Sequence, residues 1–324
     1  MNEANTDRQL LSRLRIISLA QQYPGPYCTM LLADLGADVI LVEQPRTGDP
    51  ARGPGGMSSF FAALNRNKRS VTLDLKSAEG ADALSELLAG SDALVEGFRP
   101  GVMARLRFAP ETVRERFPQL VYVSISGYGQ GGPDRLLPGH DLSYVARAGL
   151  LAGVEEGSLA DYRLPLAVAD LSSGMFAALA ILAGLLRRGQ TGTGAYIDVS
   201  MTDGLVSWMG TMLEARLAQS ERLETIPSGA AGQEPAYGIF RCSDGRHITV
   251  SIAYEDHFWR RLCTVLGLVD VQDLDAPARR RRSGELRELL ATCFRSRPPD
   301  DWLGSLAAAD VPSGRVSSLA DVLT

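Results

Sequence analysis

The sequence predicts an α/β protein with a mostly parallel sheet, followed by a smaller α+β domain. Through the first 200 residues, short apolar runs rich in β-branched residues alternate with helical patterns. Such strand–helix–strand alternation is typical of a parallel sheet with helices on both faces. After residue 200 the pattern changes to a hairpin-like pair of runs and three helical segments. The change indicates a second domain of a different class.

Six segments of the first domain are predicted to be strands because they are short, apolar and β-branched. They are Arg15–Ala20, Ala37–Val42, Ser70–Leu75, Asp92–Val95, Leu120–Ser126 and Ala195–Val199. Helical spacing predicts helices at Pro26–Leu35, Ala78–Leu88 and Asp170–Arg188. Ligands of such sheets gather at the carboxyl ends of the strands. The stretch Pro45–Gly56, with three prolines and four glycines, is the first long loop expected at that edge.

The second domain is predicted around a β-hairpin with an Asp-Gly turn at Asp244 and Gly245. Its strands are expected at Tyr237–Cys242 and Arg246–Ile252, and its helices at Tyr254–Leu266, Gly284–Ser296 and Pro299–Ala309. The predicted division is a large domain at 1–218, a polar linker at 219–235 and a small domain at 236–324. We expect the arginine run Arg279–Arg282 to be a solvated loop.

The length, composition and charge of the chain limit the classes of function that it can have. A length of 324 residues suggests about two domains, and 45% apolar with 22% charged residues excludes a mainly disordered or fibrous chain. The formal charge of −5 argues against nucleic-acid and anionic-membrane partners. Four separated cysteines without a CxxC pair fit a reducing compartment. The apolar run Met175–Leu186, of twelve residues, is too short to span a bilayer. We therefore expect a soluble, cytoplasmic protein.

The loop Gly127–Gly132 has the spacing GxGxxG after a predicted strand. A dinucleotide site would need a helix to begin there, but Pro133 and Asp134 follow. A tight loop that demands glycine is the better interpretation. Further along, His140 opens a predicted helix and Asp170 precedes the long apolar helix. By themselves, Asp141 and Asp170 could be ordinary helix N-caps and His140 incidental.

Five ordered segments resemble the family III CoA-transferase superfamily: Ser18–Pro45, Asn65–Lys76, Leu94–Leu106, Ser126–Tyr144 and Thr191–Asp203. The Gly-His-Asp motif that contains His140 resembles the α-methylacyl-CoA racemase branch of that superfamily. The resemblance implies a Rossmann-like large domain, a small α+β domain and two chains interlocked as a homodimer. It also implies a site where the large domain of one chain meets the small domain of its partner.

The resemblance implies a role for each matching residue. His140 and Asp170 are implied to be the catalytic pair, with Glu255 in support. Arg99 is similar to an arginine near the nucleotide. Contacts with coenzyme A are implied for Leu73, Asp74, Leu75, Lys76, Gly139, Asp141, Leu142, Ser143 and Tyr144. Two departures are visible. Gln44 stands where the branch often has an arginine, and relatives usually continue beyond the position of Thr324 with a segment that folds back on the large domain.

The implied activity is racemisation of a 2-methyl-branched acyl-CoA in lipid metabolism, without a metal or a cofactor other than the coenzyme A of the substrate. Moving a proton between the two faces of the α-carbon needs one base and one acid that both exchange protons near neutral pH. Histidine ordinarily meets this condition. Asp170 meets it only if burial raises its pKa. Backbone N–H groups at the helix start near Asp141 are expected to stabilise the enolate oxygen.

Two alternatives remain open. In a CoA-transferase, Asp170 would act as a nucleophile and form anhydride and thioester intermediates with carboxylic acids. Histidine at position 140 and the lack of a glycine run at Ser251–Glu255 favour the racemase. The second alternative is an acyl-CoA-binding protein without catalytic activity.

Overall fold

The computed structural model describes residues 9–153, 165–221 and 234–323. The chain divides into two compact units, Met1–Met209 and Gly210–Thr324. Most of the predicted linker, residues 222–233, lies outside the described residues. The predicted domain boundaries at residues 218 and 236 stay predictions.

The first unit contains a six-stranded parallel sheet in the order β3-β2-β1-β4-β5-β6. Its strands are β1 (Arg15–Ser18), β2 (Asp38–Glu43), β3 (Lys68–Thr72), β4 (Ala93–Glu96), β5 (Val121–Ser126) and β6 (Tyr196–Ser200). All six predicted strands are confirmed, with ends shifted by at most three residues. Strands β2 and β3 lie on one side of β1 in the sheet, and β4, β5 and β6 lie on its other side. The crevice between the ends of β1 and β4 is therefore the position where such folds bind ligands.

Helices cover both faces of this sheet, as predicted. They are α1 (Pro24–Asp34), α2 (Ser59–Asn65), α3 (Ala78–Ala89), α4 (Val102–Arg105), α5 (Pro110–Arg116), α6 (Asp141–Ala148), α7 (Val168–Thr191) and α8 (Met201–Trp208). Successive side chains of a strand point to opposite faces of the sheet, so the core of this unit has two parts, one on each face. In β5, Val121, Val123 and Ile125 pack with residues of α1 and α7. Tyr122 lies in the opposite cluster, with Leu84 of α3.

Helix α7 has 24 residues, twice the length of the apolar run Met175–Leu186 within it. Among the described residues it is long and apolar enough to cross a membrane, by length and composition alone. The prediction that this segment is too short to span a bilayer was therefore wrong. The helix packs against α1 and β5. Ala177 and Ile181 are fully or almost fully buried there. One side of α7 therefore packs in the core of the first unit.

The second unit contains an antiparallel sheet in the order β7-β8-β9. Its strands are β7 (Tyr237–Arg241), β8 (His247–Ser251) and β9 (Ser313–Arg315), and its helices are α9 (Gly210–Glu221), α10 (Asp256–Leu266), α11 (Ala276–Arg281), α12 (Ser283–Phe294), α13 (Pro299–Ala308) and α14 (Leu319–Val322). The predicted hairpin is confirmed, and Gly245 in its turn has a φ of +86°, which favours glycine. Strand β9 was not predicted because three residues, Ser-Gly-Arg, carry no apolar alternation.

The prediction of a solvated loop at Arg279–Arg282 is wrong. Arg279 lies in α11 and is completely buried. Its guanidinium donates to Glu234 at 3.1 Å, to Asp256 at 2.6 Å and to the Leu274 carbonyl at 3.0 Å. Arg280 donates to the other oxygen of Glu234 at 3.0 Å. The arginine run therefore neutralises a buried carboxylate and ties α11 to the start of α10.

Arg279→Ala should lower the free energy of unfolding by about 3 kcal/mol, because it leaves the buried Glu234 without its main partner. Urea denaturation followed by circular dichroism measures this change. Arg281→Ala removes an exposed arginine of the same helix and is the matched control. Equal stability of the two variants would contradict the structural role of Arg279.

Candidate active site

A cavity of about 240 Å³ lies in the crevice between the ends of β1 and β4. We call it the central cavity. Its walls come from the segment after β1, the turn after β4, the start of α6 and the start of α7, and its lining residues are Leu19, Gln21, Gln22, Tyr23, Pro24, Gly97, Phe98, Gly139, His140, Tyr144, Asp170 and Met201. The structure thus brings His140 and Asp170, thirty residues apart in sequence, to one cavity.

The backbone next to His140 is held by Tyr144. The Tyr144 hydroxyl donates to the Gly139 carbonyl at 2.7 Å, and its ring makes an edge contact with Tyr128 at 5.2 Å between centroids. A side chain at Gly127 would overlap the Tyr144 ring. The loop that starts at Gly127 is therefore a close-packed wall, and no helix begins between Gly127 and His140. This confirms the tight loop predicted from the GxGxxG spacing.

Asp141 connects the two helices that carry the candidate pair. Its Oδ1 accepts the N–H of Ala169 at 2.7 Å and the N–H of Asp170 at 3.1 Å. The carboxylate therefore caps α7, whose first turn includes Asp170, although Asp141 belongs to α6. This capping fixes the backbone of Asp170 relative to the backbone next to His140.

The environment of Asp170 changes its acidity. Burial, and secondly the neighbouring Asp141 carboxylate, raise the pKa of Asp170 to about 7. Both causes disfavour the ionised form. A carboxyl group with this pKa is protonated in part of the molecules at neutral pH and can serve as acid or base. This satisfies the condition that the proton-transfer hypothesis places on Asp170.

The start of α6 provides possible donors. The Ser143 N–H and the Tyr144 N–H donate to the His140 carbonyl, whereas the N–H groups of Asp141 and Leu142 have no acceptor among the described residues. Unpaired N–H groups at a helix N-terminus favour negative charge on a ligand.

A second cavity of about 480 Å³ adjoins the central one, and we call it the outer cavity. All four residues predicted at the end of β3, namely Leu73, Asp74, Leu75 and Lys76, line it. The two cavities share the lining residues Leu19, Gln21 and Phe98. We call the two adjoining cavities together the groove.

Arg46 is a lining residue of the outer cavity that sequence reasoning missed. The Gln44 amide donates to the Gly48 carbonyl at 3.3 Å and closes a turn. Arg46 lies within this turn with a φ of +72°. Arg46 therefore places a positive charge two residues after Gln44, the position at which the resemblance implies an arginine. The spacing of a single sequence gave no sign of this shift.

Other predicted contacts are placed differently. Arg99 lines a third cavity of about 370 Å³ together with Gly139, His140 and Tyr144, and it does not line the outer cavity. Leu142 is exposed, and Ser143 accepts the N–H of His140 at 3.5 Å. Asp141, Leu142 and Ser143 line none of these three cavities.

Glu255 lies in the second unit, immediately before α10. Its Oε2 accepts the N–H of Ala253 at 3.0 Å and the N–H of Tyr254 at 3.1 Å. The neighbouring Asp256 is held by Arg279. The Glu255 carboxylate thus fixes the turn that leads from β8 into α10.

These features define an α/β fold with a groove and the candidate residues His140 and Asp170 at its switch point. The chain matches CoA-transferase family III over residues 11–324, and it belongs to that family. An acyl-CoA transferase of Fusarium pseudograminearum is 31% identical over 98% of this chain and 73% of that protein. The mouse succinyl-CoA:glutarate CoA-transferase is 32% identical over 97% and 73%. Human alpha-methylacyl-CoA racemase is 35% identical over 80% and 65%.

Solved structures agree with the fold. A hypothetical protein from Mycobacterium tuberculosis has a TM-score of 0.83 at 31% identity and covers 97% of this chain and 86% of its own. A CAIB/BAIF family protein from Brucella suis has a TM-score of 0.81 at 29% identity, with coverages of 96% and 84%. The α/β fold of the family is thereby confirmed.

Asp170→Asn should change the pH dependence of stability. A native pKa near 7, above the ordinary value of 3.8, makes the free energy of unfolding of the wild type fall as the pH rises from about 4 to 7. The asparagine variant lacks this penalty and should be the more stable protein at pH 8, by at most about 4 kcal/mol. The difference should vanish near pH 4. Urea denaturation across this range measures it.

Asp82→Asn, on the exposed side of α3, is the matched control for this measurement. A stability difference between Asp170→Asn and wild type that does not vary with pH would show that the Asp170 carboxyl ionises as it does in the unfolded chain.

Proposed function

We propose that this protein is an α-methylacyl-CoA racemase-like enzyme that inverts the α-carbon of a 2-methyl-branched acyl-CoA. The observation that carries the proposal is the pair His140 and Asp170 in one cavity, with the pKa of Asp170 raised to about 7. Racemisation needs two groups that exchange protons at the same pH. The reaction requires no metal and no cofactor other than the coenzyme A of the substrate.

The groove suggests how the substrate binds. The nucleotide of coenzyme A occupies the outer cavity, where Lys76 and Arg46 are available for its phosphates. The thioester then reaches the central cavity past Phe98, which lines both. Exposed apolar side chains of the first unit, such as Met57 and Phe60, are available to an acyl chain or to a protein partner.

The chemistry is a 1,1-proton transfer. One member of the pair takes the α-proton, and the electron pair of the broken C–H bond forms the enolate with its charge on the thioester oxygen. Donors placed at that oxygen lower the barrier. The candidates are the unpaired N–H groups of Asp141 and Leu142, which do not line the central cavity themselves but directly follow His140, which does. The other member then donates its proton to the opposite face of the carbon. Each turnover exchanges the protonation states of His140 and Asp170.

The second candidate function is CoA transfer between carboxylic acids. It is favoured by relatives named CoA-transferases that match 96–98% of this chain, against 80% for the human racemase. In that chemistry Asp170 attacks a thioester as a carboxylate. A pKa near 7 weakens this role, because part of the carboxyl is protonated at neutral pH, whereas the same pKa suits an acid–base role.

Deuterated water distinguishes the two candidates. With a single enantiomer of a 2-methylacyl-CoA and no acceptor acid, a racemase incorporates deuterium at the α-carbon and produces the other enantiomer. Mass spectrometry and chiral chromatography measure both changes. No exchange, together with transfer of coenzyme A to an added carboxylic acid, would overturn the racemase proposal. Binding of the thioester without either reaction would favour the non-catalytic alternative.

His140→Ala should reduce racemisation about 10²–10⁴-fold, the usual loss for a missing general acid or base. Residual α-proton exchange should survive for one enantiomer, because Asp170 can still remove and return a proton on its own face. Asp170→Asn should retain exchange for the opposite enantiomer. Asp82→Asn is the control. In a transferase, His140→Ala would leave turnover largely intact and Asp170→Asn would abolish it.

We also propose that the protein works as the interlocked homodimer implied by its family resemblance. The outward side chains of α7 support a protein partner, because Met175, Leu179 and Leu186 are 52–74% exposed. Light scattering at micromolar concentration should give about twice the chain mass of 34.8 kDa. An active monomer would contradict both the interlocked assembly and a site shared between chains. The cytoplasmic location and the lack of nucleic-acid and membrane partners stay predictions.

A further inference from the structure

The left-handed residue Gln22 is held in the wall of the central cavity by a buried carboxylate from another loop. Gln22 has a φ of +65°, which is uncommon for a residue other than glycine. It lines the central cavity and directly precedes Tyr23 and Pro24, which line it as well. Such backbone conformations persist only where surrounding contacts fix them, and they concentrate at functional sites.

The contact that fixes Gln22 comes from Asp49. This residue is completely buried, and both of its carboxylate oxygens accept the N–H of Gln22, at 3.2 and 3.1 Å. One oxygen also caps the short helix Pro50–Arg52 through the Ala51 N–H at 2.8 Å. Capping that short helix requires only one acceptor. The contacts with Gln22 are additional, and they link two segments that are 27 residues apart in sequence.

The loop that carries Asp49 also forms the wall of the outer cavity. Gln44, Pro45 and Arg46 line that cavity, and the turn they begin is closed by the Gly48 N–H to the Gln44 carbonyl at 3.2 Å. The next residue is Asp49. The outer cavity and the Asp49 carboxylate are therefore separated by one tight turn.

Glu43 fastens this turn to the sheet. Its Oε2 accepts the N–H of Asp49 at 2.9 Å, and both oxygens accept the Arg52 guanidinium at 2.6 and 2.7 Å. Ser70 of β3 donates to the same carboxylate at 2.5 Å. Glu43 itself lines the outer cavity. Hydrogen bonds thus run without interruption from the outer cavity through Glu43 and Asp49 to Gln22 in the central cavity.

We infer that Asp49 is a positioning residue that couples nucleotide binding in the outer cavity to the geometry of the central cavity through the backbone of Gln22. The inference rests on the proposed function for the identity of the nucleotide. Binding immobilises the turn at Gln44–Gly48, and through Asp49 it immobilises Gln22 and the segment next to the reacting groups. Binding energy from a remote part of the substrate is thereby used to orient the reacting part.

Amide hydrogen exchange tests the coupling independently of the reaction. The probe is 3′,5′-ADP, the nucleotide portion of coenzyme A, which lacks the arm that would enter the central cavity. In the wild type it should slow exchange at Leu73–Lys76 and also at Gln21–Tyr23. In Asp49→Asn it should slow exchange only at Leu73–Lys76. Asp82→Asn is the control and should behave as the wild type.

Three other outcomes would contradict the inference. Slower exchange at Leu73–Lys76 without any effect at Gln21–Tyr23 in the wild type would overturn the coupling and leave the nucleotide site intact. Equal effects at Gln21–Tyr23 in wild type and Asp49→Asn would also overturn it. No effect at either segment would overturn both the coupling and the proposed nucleotide site. The wild-type measurement needs no variant, so it tests the coupling of the two cavities even if Asp49→Asn does not fold.

Kinetics provides the second readout. On a 2-methylacyl-CoA, Asp49→Asn should reduce the kcat of α-proton exchange about 10- to 100-fold, as expected for misplaced reacting groups. On the corresponding pantetheine thioester, which has no nucleotide, wild type and variant should have the same kcat. A merely structural role would lower both activities equally, and that result would overturn the inference. Absence of exchange with both thioesters in the wild type would instead refute the proposed racemase.

Discussion

The geometry of the candidate site depends on the Asp141 carboxylate, which accepts the N–H groups of Ala169 and Asp170. An ordinary N-cap satisfies the helix that follows it, but Asp141 satisfies a helix that begins 27 residues later. One charged group therefore joins the loop of His140 to the helix of Asp170. Burial raises the pKa of Asp170, and the charge of Asp141 raises it further. The same side chain therefore fixes the backbone of Asp170 and contributes to its acidity.

The parallel sheet determines where this contact can occur. Because β2 and β3 lie on one side of β1 and β4–β6 on the other, the segments after β1 and β4 separate and leave a crevice. Gly97 and Phe98 after β4 and the segment Leu19–Pro24 after β1 form its walls. Glu96, almost completely buried, accepts the N–H of Phe98 at 2.7 Å. Buried carboxylates thus fix several loops of this crevice, since a carboxylate accepts backbone N–H groups from separate segments.

Family III contains relatives named as transferases and relatives named as racemases, and this chain resembles both to a similar degree. Fold therefore does not decide the reaction. The two proposed mechanisms differ in the protonation state that they require of Asp170. A nucleophile must be ionised, whereas an acid–base catalyst must exchange its proton near the working pH. The buried position of Asp170 beside Asp141 favours the second requirement.

The sequence by itself determined the regular elements and the candidate pair. Short apolar runs rich in β-branched residues located β1–β6, the Asp-Gly step located the hairpin, and the family resemblance pointed to His140 and Asp170, which line the central cavity. These features depend on local pattern, which neighbouring residues carry. Helix α2 and strand β9 were missed because they are short and lack a clear period. Only the tertiary structure decided that Arg279 is buried, that Asp141 caps α7 and that Asp49 holds Gln22. The carboxylate contacts involved join residues 23 to 45 apart in sequence, and which distant segments meet depends on packing across the whole domain.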